Sequence, residues 1–137
     1  MGCNLEHQPV TCLKERYQTM LIKSCNTVFL LVYLSSAAVQ YNDPDALLWV
    51  AVYLAAALMC ALQFRTNPPS WLPRVLLVIS AVWMGALLPS IVGQVSLQEI
   101  FASISMKTRA VEEAREIGGL LLVSLWAGVL SYRQRKR

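Results

Sequence analysis

Between Val75 and Gly93 the chain runs nineteen residues without one charged side chain, and Ala46–Phe64 is a second uncharged run of the same length. A segment like this strongly limits what the chain can fold into. At 1.5 Å per residue a helix of about 20 residues matches the roughly 30 Å hydrocarbon core of a bilayer, and a helix satisfies its backbone polar groups internally. Two further apolar stretches, Cys25–Tyr41 and Ile117–Tyr132, approach the same requirement. The last is short, so it is expected to begin near residue 114, within Glu112–Glu116, with those carboxylates held at the surface by their aliphatic stems.

Composition agrees. Of 137 residues 56% are hydrophobic and 15% charged, with a mean hydropathy of +0.49, whereas soluble domains carry about a quarter charged residues. Once four spans are subtracted, nothing remains that could bury a separate soluble core. The predicted fold class is therefore an all-α membrane protein: four transmembrane helices in a small antiparallel bundle, with spans at about 25–41, 46–64, 75–93 and 114–132. Residues 1–24 are read as a polar N-terminal tail and 133–137 as a basic C-terminal tail.

The first span resembles a signal peptide in having Lys23 ahead of an apolar run and Ser35, Ser36, Ala37 and Ala38 near its end. The polar lead of more than twenty residues is long for a signal sequence, and the apolar run continues through Val39, so an uncleaved span is expected.

Orientation follows from where Lys and Arg fall, because cytoplasmic loops retain positive charge. Lys14, Arg16, Lys23, Arg65, Arg74, Arg133, Arg135, Lys136 and Arg137 sit on one predicted side; Lys107, Arg109 and Arg115 sit on the other, together with six of the eight acids. Both termini are expected in the cytoplasm of this multi-pass protein. The formal charge of +4 comes from cations that flank apolar segments and form no aromatic-interleaved stripe, so nucleic acid is not an expected partner. The expected partners are the lipid bilayer and either a second copy of the chain or another membrane protein.

Pairs of small residues four apart are read as helix-contact stripes: Ala51 with Ala55, Ala57 with Ala61, Gly85 with Pro89 and Gly93, and Ser124 with Gly128. Trp83 and Trp126, near mid-span, are expected inside the bundle; Trp71 and Tyr132 suit an interface. The short connection between the first two spans requires an antiparallel hairpin, and Arg65-Thr-Asn-Pro-Pro-Ser70 is a turn that stops the second helix. Between spans three and four, Leu97, Ile100, Phe101 and Ile104 repeat at helical spacing behind a Ser96/Glu99 capping pattern, which predicts a short amphipathic helix on the outer surface.

Two polar motifs remain. The first is Gln40-Tyr-Asn42-Asp43-Pro44-Asp45, followed by Trp49 and Tyr53. Asn42 or Asp43 as N-cap, Pro44 at the first helical position and an acid in the first turn would make an ordinary helix start; Gln40 and Asp45 are less well explained. The second is Glu112-Glu113-Ala-Arg115-Glu116 leading to Gly119 and Leu120. On a helix Glu112 neighbours Arg115 and Glu116. Both motifs fall on the same predicted side of the bilayer.

With these motifs, the chain resembles the transmembrane protein 220 family over about Asn26 to Leu130. The resemblance rests on Asn42, Asp43, Pro44, Asp45 and Trp49, and on Glu112, Glu113, Arg115, Glu116, Gly119 and Leu120. It implies a four-span membrane protein and no particular reaction.

The candidate site is the outer-face cluster of Gln40, Asn42, Asp43, Asp45, Trp49, Glu112, Arg115 and Glu116. Carboxylates around one Arg fit either a small ligand or cation held by oxygens, or an ion-pair network. An accessory subunit packing against a larger membrane complex through its small-residue stripes is the alternative. Catalysis is not expected: there is no cofactor motif, no G-x-S-x-G, and the single His7 lies away from the acids. The cysteines Cys3, Cys12, Cys25 and Cys60 show no metal-site spacing.

Overall fold

The computed structural model describes residues 9–40, 45–91 and 109–136. They form four helices: α1 (Pro9–Val39), α2 (Ala46–Leu62), α3 (Trp71–Ile91) and α4 (Arg109–Arg135). The predicted amphipathic helix around Leu97–Ile104 lies outside the described residues. The chain divides into two compact units, 1–68 and 69–137, and each is a helical hairpin: α1 packs on α2, and α3 on α4.

The first hairpin is antiparallel, as its short connection requires. Asn26 of α1 bonds to Cys60 in the last turn of α2, and Tyr33 on α1 and Tyr53 on α2 are both buried. The inner positions repeat every four and three residues on both helices. On α1 they are Asn26, Leu30, Tyr33, Ala37 and Gln40; on α2 they are Trp49, Tyr53, Ala56, Cys60 and Gln63, all buried or half-buried. That spacing is the seam of knobs-into-holes packing, in which each side chain enters a gap on the facing helix.

The second hairpin repeats the arrangement with different residues. Pro73, Leu76, Ser80, Trp83 and Leu87 form the inner stripe of α3, and Leu120, Val123, Ala127 and Leu130 that of α4, again buried or half-buried. Ser124 meets Ser80 and Gly128 meets Leu77, so the two helices run in opposite directions. Trp126 is buried as expected, whereas Trp83 is half-buried.

The small-residue stripes need correction. Only Ser124 and Gly128 line a helix contact together. Ala57 is buried but Ala61 is exposed, Ala51 is exposed beside a half-buried Ala55, and Gly85 and Pro89 both face outward; Gly93 lies outside the described residues. In this chain bulky a/d-type side chains make most of the seam, because Leu, Tyr and Met fill it at the spacing that small residues would otherwise exploit by close backbone approach.

Element bounds also move. α1 begins at Pro9, far ahead of the expected span at Cys25, and α4 begins at Arg109 instead of near 114. Among the described residues two stretches are long and apolar enough to cross a membrane, Arg16–Val39 in α1 and Trp71–Pro89 in α3. α2 is apolar throughout but has 17 residues. The uncharged part of α4, Ile117–Tyr132, covers about 24 Å, short of a full hydrocarbon core.

The outer faces are apolar. Leu31, Leu54, Val82 and Leu125, one from each helix, are all exposed. In water such surface would be costly; against acyl chains it is the expected face of a membrane helix.

Candidate functional site

The first polar motif sits where α1 gives way to α2. Gln40 ends α1 in a single tight turn and is half-buried; Asn42 and Asp43 lie outside the described residues. Asp45 occupies the N-cap position of α2, where its carbonyl accepts from the N–H groups of Leu48 and Trp49 at 3.1 and 3.4 Å. Its carboxylate makes no capping bond and is exposed. This corrects the helix start read from the sequence: the first helical residue is Ala46, not Pro44, and the N-cap is Asp45, not Asn42 or Asp43.

Trp49 is 3% exposed, on the inner face of α2, its ring tilted against Tyr53 with centroids 6.2 Å apart. It lies on the buried stripe of α2 one turn beyond Asp45.

The second motif occupies the first turns of α4. Glu112 and Arg115 lie on the helical backbone, while their side chains are outside the described residues; Glu116 is half-buried. Among the described residues no three His, Cys, Asp or Glu side chains gather as a metal site would require.

Within each hairpin most of the charges separate by end. In the first, Lys14, Arg16, Lys23 and Arg65 lie toward the end where α1 begins and α2 finishes, and Asp45 lies at the other. In the second, Arg74, Arg133, Arg135 and Lys136 lie at the end where α3 begins and α4 finishes, and Glu112, Glu113 and Glu116 open α4 at the other. Near the basic end of α4 the Lys136 ammonium lies 4.6 Å above the Tyr132 ring, a cation–π contact that suits an interfacial aromatic.

Sequence reasoning missed the polar groups inside the seams. The Asn26 amide donates to the Cys60 carbonyl at 2.7 Å. The Ser124 hydroxyl donates to Ser80 Oγ at 2.8 Å, and Ser80 in turn donates to the Leu76 carbonyl at 2.6 Å. A signal was available for Asn26, a strong hydrogen-bonding residue inside an otherwise apolar run and seven residues before Tyr33.

A chain whose described residues form four helices, with two membrane-length apolar stretches, outward-facing Leu and Val, and polar side chains that bond between the helices of each hairpin, belongs to the class of helical membrane proteins. The chain is a member of transmembrane family 220, whose family model matches residues 32–132. It is 28% identical over 125 residues to transmembrane protein 220 of Xenopus laevis, a match that takes in 90% of this chain and 65% of that relative, so the chain spans a little under two thirds of the relative's length. No solved structure matches.

Proposed function

We propose that the chain crosses the membrane four times with both termini in the cytoplasm, and that Gln40, Asn42, Asp43, Asp45, Glu112, Arg115 and Glu116 form a non-catalytic small-ligand or cation site at the opposite surface. The observation that carries this reading is the distribution of charge within each hairpin: most cations lie at one end and an acidic motif at the other, with Arg109 and Arg115 the exceptions at the start of α4. If the cations of both stay in the cytoplasm, the two acidic motifs share the outer surface. Asp45 adds support, since its carboxylate makes no capping bond at the start of α2 and is exposed. Trp49 enters as a positioning residue from the seam.

The test is a disulfide crosslink between Asp45→Cys and Glu116→Cys in native membranes, with the natural cysteines replaced, followed by Mn²⁺ titration of the purified full chain. Rapid crosslinking, with Mn²⁺ binding weakened by Asp43→Asn and Glu116→Gln while the helices stay folded, is the expected result. Unchanged Mn²⁺ affinity, with stability lost instead, would make the cluster an ion-pair network. Accessibility labelling of the two termini tests the orientation separately.

The accessory-subunit reading draws support from α3, where Ala81, Gly85 and Pro89 form an exposed small-residue face and nothing lies within 4 Å of a Cβ built on Gly85. Ala57 and Gly128 are occupied by contacts within the hairpins, so Gly85→Leu, not a change at those positions, is the substitution expected to break such a complex.

A further inference from the structure

α1 is much longer than the helix it packs on. With Asn26 bonded to Cys60 and the two helices antiparallel, the end of α2 at Leu62 falls level with Ser24. From Pro9 to Lys23, α1 runs past the end of α2 for about 22 Å.

This overhang is not a polar tail. Leu13, Tyr17, Met20 and Leu21 are 65, 66, 60 and 45% exposed and repeat at i, i+4, i+7 and i+8, one face of a helix. Ser24, Val28, Leu31, Ser35 and Val39, all exposed, continue the same face to the end of the helix. The face opposite carries Asn26, Tyr33 and Ala37 against α2. α1 thus presents one outward strip from Leu13 to Val39, about 39 Å long at 1.5 Å per residue. A hydrocarbon core is about 30 Å thick, and 40–45 Å with its headgroup layers. The strip exceeds the core by about 9 Å, enough to pass through the roughly 5–8 Å of one headgroup layer.

Cations border the excess. At 100° per residue Lys14 flanks the strip on one side and Arg16 and Lys23 on the other, all three exposed. The one acid of the segment, Glu15, falls by helical spacing on the opposite face. An apolar strip bordered by cations is complementary to a leaflet with anionic headgroups, where the apolar residues reach the acyl boundary and the long cationic side chains extend to phosphates.

We infer that Leu13–Lys23 is an anionic-lipid docking segment, seated in the headgroup layer as a continuation of the α1 span. It rests on the reading that α1 crosses the membrane, and it adds a lipid partner of defined charge at the end of the hairpin away from Asp45. Each of the three cations contributes about fivefold to the docking equilibrium near an anionic surface.

The experiment uses the full chain with Cys3, Cys12 and Cys25 changed to Ser, the buried Cys60 retained, and an environment-sensitive fluorophore placed through Tyr17→Cys or, separately, Val28→Cys. The protein is reconstituted into vesicles of phosphatidylcholine alone or with one lipid in three replaced by phosphatidylserine. The probe at 17 is expected to shift to the blue and be quenched by headgroup spin-labelled lipid in the phosphatidylserine vesicles. Lys14→Gln, Arg16→Gln and Lys23→Gln together should cut that docking about a hundredfold with helix content unchanged. A probe at 17 that stays in water in both vesicles while the probe at 28 is in lipid overturns the inference and leaves the span standing. If the probe at 28 is also in water, the span itself fails. Protection of 17 that is independent of phosphatidylserine, with crosslinking between copies through that position, would assign the strip to a second copy and overturn lipid docking.

Discussion

Asn26 on α1 donates from its side-chain amide to the carbonyl oxygen of Cys60 on α2 at 2.7 Å, and the acceptor belongs to the last turn of its helix. Carbonyls there lack the full set of intrahelical donors. Cys60 also accepts from the Gln63 N–H at 3.1 Å in a tightened i+3 turn, so Asn26 supplies the second partner of a carbonyl that lipid could not satisfy. The same bond fixes the register of the hairpin, because sliding α1 by one turn would strand a 2%-exposed amide. Asn26→Ala is expected to cost about 1 kcal/mol, near the usual value for a hydrogen bond between membrane helices. Asn26→Asp should cost more, since it removes the donor and places a carboxylate in the seam. Reversible unfolding in mixed micelles, followed by circular dichroism, measures both; an Asp variant as stable as wild type would remove the bond from the list of register-setting contacts.

The second hairpin uses a weaker device. Ser124 donates to Ser80 Oγ, whose own hydrogen goes to the Leu76 carbonyl. Either hydroxyl can be lost cheaply, because a helical serine can turn back to the carbonyl four residues earlier. Ser80→Ala and Ser124→Ala are each expected to cost about 0.5 kcal/mol, with a coupling between them below about 1 kcal/mol in a double-mutant cycle. A coupling of several kcal/mol would show that the pair orders its hairpin more strongly than Asn26 orders the first, and that it is not the weaker device.

Glycine positions separate inner from outer faces. A Cβ on Gly128 would sit 3.9 Å from Leu77 Cδ1, an ordinary contact, and Gly85 and Gly118 have nothing within 4 Å. Gly128→Ala should therefore be neutral or stabilising by up to about 1 kcal/mol through lower backbone entropy in the unfolded chain. Gly128→Phe must displace Leu77 and is expected to cost about 2 kcal/mol. Gly85→Leu should leave the stability of the isolated chain unchanged. Thermal unfolding of the three variants in one detergent gives the comparison, and a destabilised Gly85→Leu would place an unrecognised contact on the outer face of α3.

Thiol labelling reads the first seam directly. Neither Cys25 nor Cys60 is in a disulfide; the former is exposed and the latter fully buried. In detergent micelles N-ethylmaleimide should modify Cys25 at least tenfold faster than Cys60, with Cys60 reacting only on unfolding; peptide mass spectrometry resolves the two sites. Equal rates would mean that the hairpin opens readily at its Asn26 end.

The class of fold was legible because it follows from composition along the chain: uncharged runs of membrane length, the turn at Pro68-Pro69, and cations gathered at predicted span ends. Helix limits were less legible. The sequence places a span boundary at Cys25 because charge begins there, yet α1 continues to Pro9, since helix formation needs only compatible residues and an apolar face, and Leu13, Tyr17, Met20 and Leu21 supply that face between the charges. The second span was placed from Ala46, where α2 does begin, but its capping residue was misread, because Asn, Asp and Pro are all suitable near an N-terminus and only backbone geometry selects Asp45.

The sequence by itself determined that this chain is helical, apolar and built for a membrane, and that its acidic motifs and most of its cations belong at opposite ends, because hydropathy and charge act through each segment alone. Tertiary structure decided which helices pair, that Trp49 and Tyr33 face inward while Gly85 and Ala51 face out, and that Asn26 completes the end of a helix thirty-four residues away. In runs of Leu, Val and Ala nearly every face is apolar enough to meet either lipid or another helix, so polarity cannot choose between them. The choice falls to shape and to the few buried hydrogen bonds, which exist only once two helices are side by side.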